Sequence, residues 1–551
     1  MNNNAKRLVE IGDGLTSTFQ PWNTLRQEIC ELSYPMRADY TGELSPGSDF
    51  QTGIMDSSVT LARETLGNFI NAMLRQGDWF NISTGDDDRD EQPVAMKWFE
   101  RAKQIQRNFM YAPRANFVDA TIEADHDWVS VGNPVLSVEE NTARDGLLYR
   151  AWHPRDVVWM TDADGQIDHV QRNMPMTARN ICRRWPKTAH ADIHRCCDKE
   201  PGKAFKIRHI LMPVEDIYGD DKAKRRQYAK KPFISLYIDC DHQEILGESG
   251  LRTFNYIIPR LRTLSNVPVG FSPYSINSLP DSRMIQDIAR ILLEQGEKAI
   301  DPPAIARANL FREFNQYAGG LTYADLEPDE DLRNVFQFME QKGNLSFGME
   351  LKQDVRMLIS EAYLLNKLNL PQVHEMTAFE TNARLDEYRR AALPFFGPID
   401  SKYHLPLLDV TFEMLLYRGA FPPLPDELEG QDVTFKFEGP LNTLEGRQII
   451  SAYQESIQII AAGAQFDQSI PQDFDLKKAT EDAVRGTGAE PEWLLDDDAK
   501  KALADKNAQA TQLAQAASLL QAGGATAEQV GKGAQAMQAG GLIPGPGGTV
   551  Q

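Results

Sequence analysis

The chain has 551 residues, of which 42% are hydrophobic and 25% are charged, so it is longer than the roughly 250–300 residues at which one core stops growing, and several packing units are expected. Its formal net charge of −21 at pH 7 argues against a general nucleic-acid binder, because such proteins gain affinity by neutralising phosphates with Lys and Arg; a protein that DNA only slides past is not excluded. The five cysteines are too irregularly spaced for a disulfide framework, and neither an apolar run of roughly 18 residues nor a signal-like N-terminus predicts a membrane segment.

Helices are predicted first, and strands follow them. Apolar residues recur at helical spacing over 5–35, 57–76, 94–108 and 116–131. The period then shortens to that of strands, with one helix at 177–185 among several β-prone runs: 135–139, 147–152, 157–160, 167–172, 206–212, 233–240 and 244–246. Asp162-Ala163-Asp164-Gly165 is a hairpin-turn signal. These patterns therefore predict an α+β region over residues 1–271.

Two amphipathic helices separated by an insert come next. The first is predicted to start after Ser278-Leu279-Pro280-Asp281, because Pro fixes φ for a first turn and Asp complements the exposed N–H groups. It ends at Asp301-Pro302-Pro303, since Pro clashes with the preceding turn. The second runs from near Ser346 to Leu370-Pro371. The repeat of three and four residues gives each helix an apolar face: Ile285, Ile288 and Leu292 on the first, and Leu351, Val355, Leu358 and Leu365 on the second.

A short loop and a third helix follow the pair. The loop consists of Gln372, Val373, His374 and Glu375. Thr377 with Glu380 three residues later forms a capping box, which starts the helix.

The remaining segments give weaker signals. The insert carries a predicted strand at 332–339. A helix is predicted over 405–417, a strand over 434–437 and a helix over 444–462. From residue 496 onward Ala, Gln and Gly dominate, which predicts disorder at the extreme C-terminus.

Three patterns suggest chemistry, and each fails at a required position. His190, His194 and Cys196 would suit a metal-dependent hydrolase, but Ala191 stands where zinc proteases need Glu to activate water; the other interpretation is a polar loop or helix end. The segment 162–168 lacks the Gly and Glu positions of a calcium loop, and 524–533 has too many residues between its glycines for a phosphate loop. We therefore expect no catalytic residue, no cofactor, no metal and no ATP hydrolysis.

Several segments occur in an order that is typical of one family. They are Met55-Asp56-Ser57-Ser58 with Gln76-Gly77-Asp78-Trp79-Phe80; Ser272-Pro273 before Leu279-Pro280-Asp281; Glu297-Lys298-Ala299-Ile300-Asp301-Pro302-Pro303; Met376-Thr377-Ala378-Phe379-Glu380 with Arg384 and Glu387; and Arg418-Gly419-Ala420-Phe421-Pro422-Pro423-Leu424-Pro425. Spanning about 5–460, this order resembles the portal (head-to-tail connector) protein of short-tailed bacteriophages. The chain departs from the family pattern at Leu393-Pro394-Phe395-Phe396, where an unbroken helix is expected.

The resemblance implies a portal-type ring subunit of α+β class. Its parts would be an α+β wing at 1–271, a first stem helix at 272–301, a clip at 302–346, a second stem helix at 347–370, a channel loop at 371–377, a long helix and wing return at 378–440, a helical crown at 441–495, and a partly disordered tail at 496–551. The seven apolar positions of the two stem helices would pack subunits together, and Gln372 to Glu375 would face the channel axis.

The resemblance also implies a function. The chain would form a homo-oligomeric ring, a dodecamer in the family, at one capsid vertex of the virion after assembly in the host cytoplasm. Double-stranded DNA would pass without sequence specificity, and the partners would be a terminase-type packaging motor with its own ATPase, a tail adaptor, and the major capsid and scaffold proteins. Another structural component, such as a tail adaptor or a scaffold, is the alternative.

One basic cluster interrupts the acidic chain. Its members are Lys222, Lys224, Arg225, Arg226, Lys230 and Lys231. A solvated loop is one interpretation, and contact with an acidic neighbouring subunit, a packaging partner or DNA is the other. The sequence leaves both open.

Overall fold

The computed structural model divides into two compact units, Met1–Asn442 and Thr443–Gln551. It describes these residues: 2–300 apart from 76, 91, 142, 220 and several positions within 43–52; 304–306; 336–338; 345–368; 395–437 apart from 396 and several positions within 426–432; 453–461; and 474, 479–480 and 483–484. None of the helices in this described part has the length and apolar character that crossing a membrane requires.

Within the second unit, residues 453–461 are helical, inside the helix predicted at 444–462. Tyr453 Oη lies 2.6 Å from Thr480 Oγ1. Most of the predicted crown and the whole predicted tail, 496–551, lie outside the described residues.

The described part of the first unit contains thirteen α-helices. Their bounds are α1 Asn2–Ser33, α2 Ser58–Leu74, α3 Asp87–Asp90, α4 Pro93–Met110, α5 Phe117–Ser130, α6 Ala178–Arg184, α7 Ala191–Lys199, α8 Val214–Tyr218, α9 Lys222–Gln227, α10 Pro273–Ile300, α11 Leu345–Ala362, α12 Leu365–Leu368 and α13 Leu405–Arg418. A π-helical turn, Asp400–His404, leads into α13. Gly419 closes α13 in the left-handed conformation, with φ of 71°.

The strands form antiparallel sheets. Their bounds are β1 Phe80–Ser83, β2 Val135–Glu140, β3 Leu147–Trp152, β4 Val157–Thr161, β5 Ile167–Thr177, β6 Ala204–Pro213, β7 Phe233–Asp239, β8 Glu244–Leu251, β9 Tyr256–Ile257, β10 Arg262–Thr263, β11 Gly270–Phe271, β12 Ala304–Ala306, β13 Phe336–Phe338 and β14 Thr434–Phe437. β4 to β8 pair in chain order as a five-stranded sheet, and β2 lies between β3 and β9. The mixed α+β class is thereby confirmed.

The turn between β4 and β5 has the hairpin geometry that the sequence predicts. Asp162 Oδ1 accepts hydrogen bonds from Asp164 N at 2.9 Å and from Gln166 N at 2.8 Å. Gly165 has φ of 78°, which glycine adopts without steric cost. The carboxylate of Asp162 is thus used to close the turn.

Hydrophobic clusters cover both faces of the five-stranded sheet. Neighbouring residues of a strand point to opposite faces, and Ile210 and Leu211 of β6 lie in different clusters. α1 contributes Leu8 to the cluster around Ile210. α6 and α7 contribute Ile181 and Ile193 to a third cluster on the same sheet.

α10 starts earlier than the helix signal at 278–281 indicates, and close to residue 272, where the family resemblance places the start of the first stem helix. α10 begins at Pro273, and Pro280 lies inside it. Pro273 supplies the same first-turn signal as Pro280, and Tyr274 and Leu279 are buried in the opening turns. Burial of these side chains outweighs the backbone hydrogen bond that is lost at Pro280.

The second predicted stem helix is interrupted. α11 ends at Ala362, Leu364 adopts φ of 60°, and α12 follows. Tyr363 and Leu364 are both buried in the helical core, so core packing overrides the local helical preference there.

The sequence patterns did not predict strand β1. It pairs with β14 from Phe80 opposite Phe437 to Ser83 opposite Thr434.

Candidate functional site

α10 and α11 pack side by side, and both enter the helical core. Ile285 (0% exposed) and Val355 (2%) belong to one buried cluster, and Ile288 and Leu365 pack against it. A Cβ atom on Gly348 of α11 would lie 2.6 Å from Leu292 Cδ2. These predicted packing residues therefore make their contacts within one chain.

The other two predicted packing residues lie on the surface. Leu351 is 37% exposed and Leu358 is 50% exposed. More large apolar side chains of the same helices are exposed: Met284, Ile291, Leu293 and Met357. We call these six residues the exposed apolar set. Complete burial of such a side chain is worth about 1.5–3 kcal/mol, so covering this surface would be favourable.

A buried carboxylate connects α11 to the start of α2. Asp56 Oδ2 accepts hydrogen bonds from Lys352 Nζ at 2.9 Å and Arg356 Nη2 at 2.6 Å. Asp56 Oδ1 accepts one from Ser58 N at 2.9 Å. Because hydrogen bonds to charged groups are the stronger ones, Asp56 holds α11 firmly against α2.

Gln286 makes the corresponding connection from α10. Its Oε1 accepts hydrogen bonds from Met55 N at 2.7 Å and Asp56 N at 2.9 Å, and its Nε2 donates to Asp56 O at 2.8 Å. One amide group thus pairs with three backbone groups. We call Asp56, Gln286, Lys352 and Arg356 the anchor, since together they fix both helices to one point of the core.

The charge of Asp56 is maintained by its partners. Burial would raise the pKa of Asp56, but the hydrogen bonds from Ser58, Lys352 and Arg356 lower it below its usual value. The anchor was missed by sequence reasoning, because no local pattern relates residue 56 to residues 352 and 356. The signals at Asp56 are its place in the motif Met55-Asp56-Ser57-Ser58 and its position just before a helix start.

The first turn of α10 is held at the end of α5. Ser275 Oγ donates a hydrogen bond of 2.9 Å to Val129 O, and Ser272 Oγ donates to the same oxygen. Gly132 has φ of 77°, and a Cβ atom there would lie 2.4 Å from the carbonyl carbon of Phe271. Only glycine fits this close approach without displacing backbone.

A second buried network holds the turn that precedes α13. Arg75 donates to Asp125 Oδ2, its Nη1 lies 3.1 Å from His404 Nε2, and His404 Nδ1 lies 2.8 Å from Asp400 Oδ1. Since Arg only donates, His404 Nε2 accepts and Nδ1 carries the proton toward Asp400. Burial raises the pKa of Asp125 to about 6, even beside Arg75. This network joins α2, α5 and the π-helical turn.

The basic cluster lies on α9 and the turn after it. Arg225 Nη2 pairs with Glu215, and Arg226, Lys230 and Lys231 are exposed. The backbone of Lys222 and Lys224 belongs to α9, while their side chains lie outside the described part. The arrangement is compatible with a solvated surface and with a contact surface.

The predicted channel loop falls on residues outside the described ones. Gln372, Val373, His374 and Glu375 belong to 369–394, which the structure does not describe. The same holds for the predicted helix start at Thr377 and most of the departure at Leu393-Pro394-Phe395-Phe396. These positions stay predictions.

The three residues of the hydrolase alternative do not come together in the structure. His194 Nδ1 lies 3.5 Å from Cys182 Sγ, whereas the ring of His190 stacks on His242 with centroids 4.0 Å apart. His190, His194 and Cys196 are therefore not one ligand set. Among the described residues, the group that brings potential metal ligands together is His190, Asp192 and His242.

Residues 5–495 match the family described as bacteriophage head to tail connecting protein. Since the match covers most of the 551 residues, the chain belongs to this family. The head-to-tail connector family recognised from short motifs is thus confirmed.

A phage portal protein is similar to this chain over nearly its full length. The probable portal protein of Bordetella phage BPP-1 is 22% identical over 550 residues, with 96% of this chain and 95% of that protein covered. Two solved structures are more distantly similar. The virion of a native gene transfer agent particle contains a chain with 11% identity and a TM-score of 0.31, covering 77% of this chain and 92% of that one. A chain in the neck of an empty gene transfer agent particle has 10% identity and a TM-score of 0.32, covering 74% of this chain and 90% of that one.

Proposed function

We propose that this chain is the subunit of a portal ring at one capsid vertex of a short-tailed phage, the conduit for DNA packaging and ejection. The observation that carries the proposal is the match of residues 5–495 to the head-to-tail connector family. The proposal adds a homododecameric ring, double-stranded DNA passing along its axis, and assembly in the host cytoplasm.

The paired helices α10 and α11 support the ring. The anchor fixes the middle of each helix to the subunit's own core, while the exposed apolar set remains uncovered. Neighbouring copies that pack pair against pair would cover these side chains, and Leu351 and Leu358 would then contact another subunit. Ile285 and Val355 are already covered within the chain, so their part in the stem is to hold the two helices together.

The insert at 302–346 is proposed as the clip. β12 and β13 pair with Ala304 opposite Phe338, which brings together residues near the two ends of the insert. An insert closed in this way can form a separate module that contacts the packaging motor or the tail adaptor. The wing at 1–271, the wing return, the crown at 441–495, and contacts with capsid and scaffold proteins belong to the same proposal.

The channel is proposed to be acidic, with the 371–377 loop at its narrowest point. Each Lys or Arg that contacts phosphate would release counterions and add affinity that must be broken at every step of DNA movement. The net charge of −21 per subunit agrees in sign. His374 could become cationic near pH 6.5, so lower pH should slow DNA movement.

Electron microscopy of the purified chain tests the ring. We expect rings with a central channel, twelvefold in class averages. The variant Leu358→Asp should remain folded by circular dichroism but yield few rings, because a charge would be buried between subunits. Leu264→Asp is the matched control, since Leu264 is 57% exposed outside the helix pair. A monomeric chain without a channel would overturn the portal proposal and favour a tail adaptor or a scaffold.

Deletion of 372–375 tests the channel loop separately. We expect rings that assemble but fail to package or retain DNA. Loss of assembly, with the loop on the outer surface of a ring structure, would contradict the channel position.

An ATPase assay tests whether the motor is a separate protein. The purified chain should not hydrolyse ATP. Lys532 lies in the segment 524–533, so ATP turnover that Lys532→Ala abolishes would show that the motor is not a separate protein.

A further inference from the structure

An insertion separates two strands of the five-stranded sheet that pair directly. β6 and β7 pair up to Pro213 opposite Phe233, a geometry that a turn of a few residues can close. Residues 214–232 intervene instead, and they contain α8 and α9. The insertion carries the basic cluster found in the sequence, so these cations lie on a feature that is added to the sheet.

Two tyrosines hold the insertion in place on β8. Tyr228 Oη donates a hydrogen bond of 2.8 Å to Glu248 Oε1, and Tyr218 Oη donates to the same oxygen. The two tyrosine rings are parallel to within 6°. A Cβ atom on Gly250 would lie 2.6 Å from Tyr228 Cδ1 and 2.8 Å from Lys231 Cδ. The side-chain carbons of Lys231 therefore lie against β8, and the insertion presents its cations from a fixed position.

Three cations of the insertion are available to a partner. Arg226, Lys230 and Lys231 are exposed, and none of them forms an ion pair among the residues that the structure describes. Arg225 differs from them, because it pairs with Glu215. The exposed end of the insertion is therefore positively charged.

The start of α1 adds a fourth cation on the same side of the sheet. Leu8 of α1 and Val214 of α8 belong to one hydrophobic cluster. Arg7 is exposed on this helix, whereas Lys6 pairs with Glu10 at 4.0 Å. Folding thus brings together cations from two distant parts of the chain. We call four residues the basic patch: Arg7, Arg226, Lys230 and Lys231.

The acidic character of the whole chain does not cancel this local charge. Exposed charges are screened from one another beyond about 10 Å at 0.1 M salt, so the acids that matter are the nearby ones. Asp221 Oδ1 accepts a hydrogen bond of 3.1 Å from Ala223 N, which uses it to start α9. Asp216 is exposed but is outnumbered by the basic patch.

The surroundings of the basic patch fit phosphate better than a protein surface. Protein interfaces have an apolar centre and are depleted in Lys. The large apolar side chains that are exposed lie elsewhere in the described part of the chain, outside 4–10 and outside 214–232. A phosphate backbone requires only Lys and Arg, which displace its counterions.

We propose that the basic patch binds the phosphate backbone of double-stranded DNA without sequence specificity. This contact lies on the five-stranded sheet, to which α10 and α11 do not belong, so it is additional to the passage of DNA along the ring axis. The proposed function supplies the DNA, but binding itself needs neither a ring nor a channel. The basic patch would hold DNA against one side of the subunit.

Fluorescence anisotropy with a short labelled duplex and the full-length chain tests the proposal. Four phosphate contacts should make the affinity fall roughly 100-fold between about 50 and 200 mM salt. A triple variant, Arg226→Gln with Lys230→Gln and Lys231→Gln, should lower the slope of log affinity against log salt by about 3. Arg7→Gln alone should lower it by about 1, because α1 contributes to the same surface.

A matched control removes three exposed cations from the other face of the sheet. A Cβ atom on Gly247 would contact Trp185 after α6, whereas one on Gly250 would contact Tyr228. Since these glycines lie three positions apart in β8, they face opposite sides. The control changes the net charge as much as the triple variant does, and it should bind the duplex like the wild type. Its substitutions are Arg183→Gln, Lys187→Gln and Lys199→Gln.

Four results would overturn the proposal. The first is a wild-type chain that shows no salt-dependent binding to the duplex. The second is an equal loss of binding in the control, which would reflect net charge alone. The third is tighter binding to poly-glutamate than to the duplex, which would indicate an acidic protein partner. The fourth is binding that survives in the triple variant but disappears when 372–375 is deleted, which would place the DNA in the channel. Rings seen by electron microscopy without binding at the basic patch would leave the portal proposal intact.

Discussion

The five-stranded sheet and the α10–α11 pair bury their apolar side chains in different ways. The sheet is covered on both faces within one chain, with α1, α6 and α7 contributing to its clusters. The helix pair is covered where it meets the core but presents the exposed apolar set to solvent. The sheet therefore buries its apolar faces on folding, whereas the exposed apolar set of the helix pair would be buried only if copies assemble as proposed.

Truncation of a buried residue against an exposed one is the strongest test of this difference. Ile285→Ala should lower the free energy of unfolding by about 2–5 kcal/mol, because it leaves a cavity in the helical core. Ile291→Ala, on the same helix, should change it by no more than about 0.5 kcal/mol in the unassembled chain. Urea denaturation of both variants measures this. Equal losses would mean that α10 is covered along its whole length.

Removal of the anchor should have the next largest effect. Asp56→Ala leaves Lys352 and Arg356 without their carboxylate and should cost about 2–3 kcal/mol. Asp354→Ala, at an exposed position of α11, is the control and should be nearly neutral. Because the pKa of Asp56 is lowered in the folded state, its stabilisation exists above the unfolded value of about 3.9 and is lost as pH falls toward the folded value. Unchanged stability in Asp56→Ala at pH 7 would show that the anchor does not hold the pair.

The sheet should respond to acid through His169 on β5. Burial lowers the pKa of His169 to about 4. The unfolded chain therefore takes up a proton below about pH 6.5 while the folded chain resists it, so stability falls as pH decreases from 6.5 toward 4. Between pH 7 and 5 the lowered pKa of His169 should reduce the free energy of unfolding by about 1–2 kcal/mol. The variant His169→Gln should therefore lose about that much less stability than the wild type over this pH range, which gives it a shallower pH slope. An identical slope in the variant would contradict the assignment.

The smallest expected effect concerns a close contact between α10 and α11. Gly348→Ala would place its Cβ atom 2.6 Å from Leu292 Cδ2, the movable end of a side chain. The gain in helix propensity of about 1 kcal/mol should offset most of the adjustment of Leu292, so thermal unfolding should shift by a few degrees at most. A large loss of stability would indicate that the helix crossing is tightly packed here.

The sequence by itself determined the elements with strong periodicity. Helices at 57–76, 94–108 and 116–131 and the strands of the five-stranded sheet follow from repeats of three to four and of two residues. Short motifs in a fixed order also indicated the family, because each motif has a local backbone requirement. At the start of α10 the helix signal at 278–281 was too late, whereas the family resemblance placed the start at residue 272, next to the observed Pro273.

Only the tertiary structure decided which apolar residues are covered and which charges meet. Val355 and Leu358 share one predicted stripe, yet one is buried and the other is half exposed, since the width of the covered face depends on what packs against it. The pairing of Asp56 with Arg356 and of β1 with β14 joins residues about 300 positions apart or more. Periodicity reports on the few residues of one turn or one strand, whereas these contacts depend on the path of the whole chain.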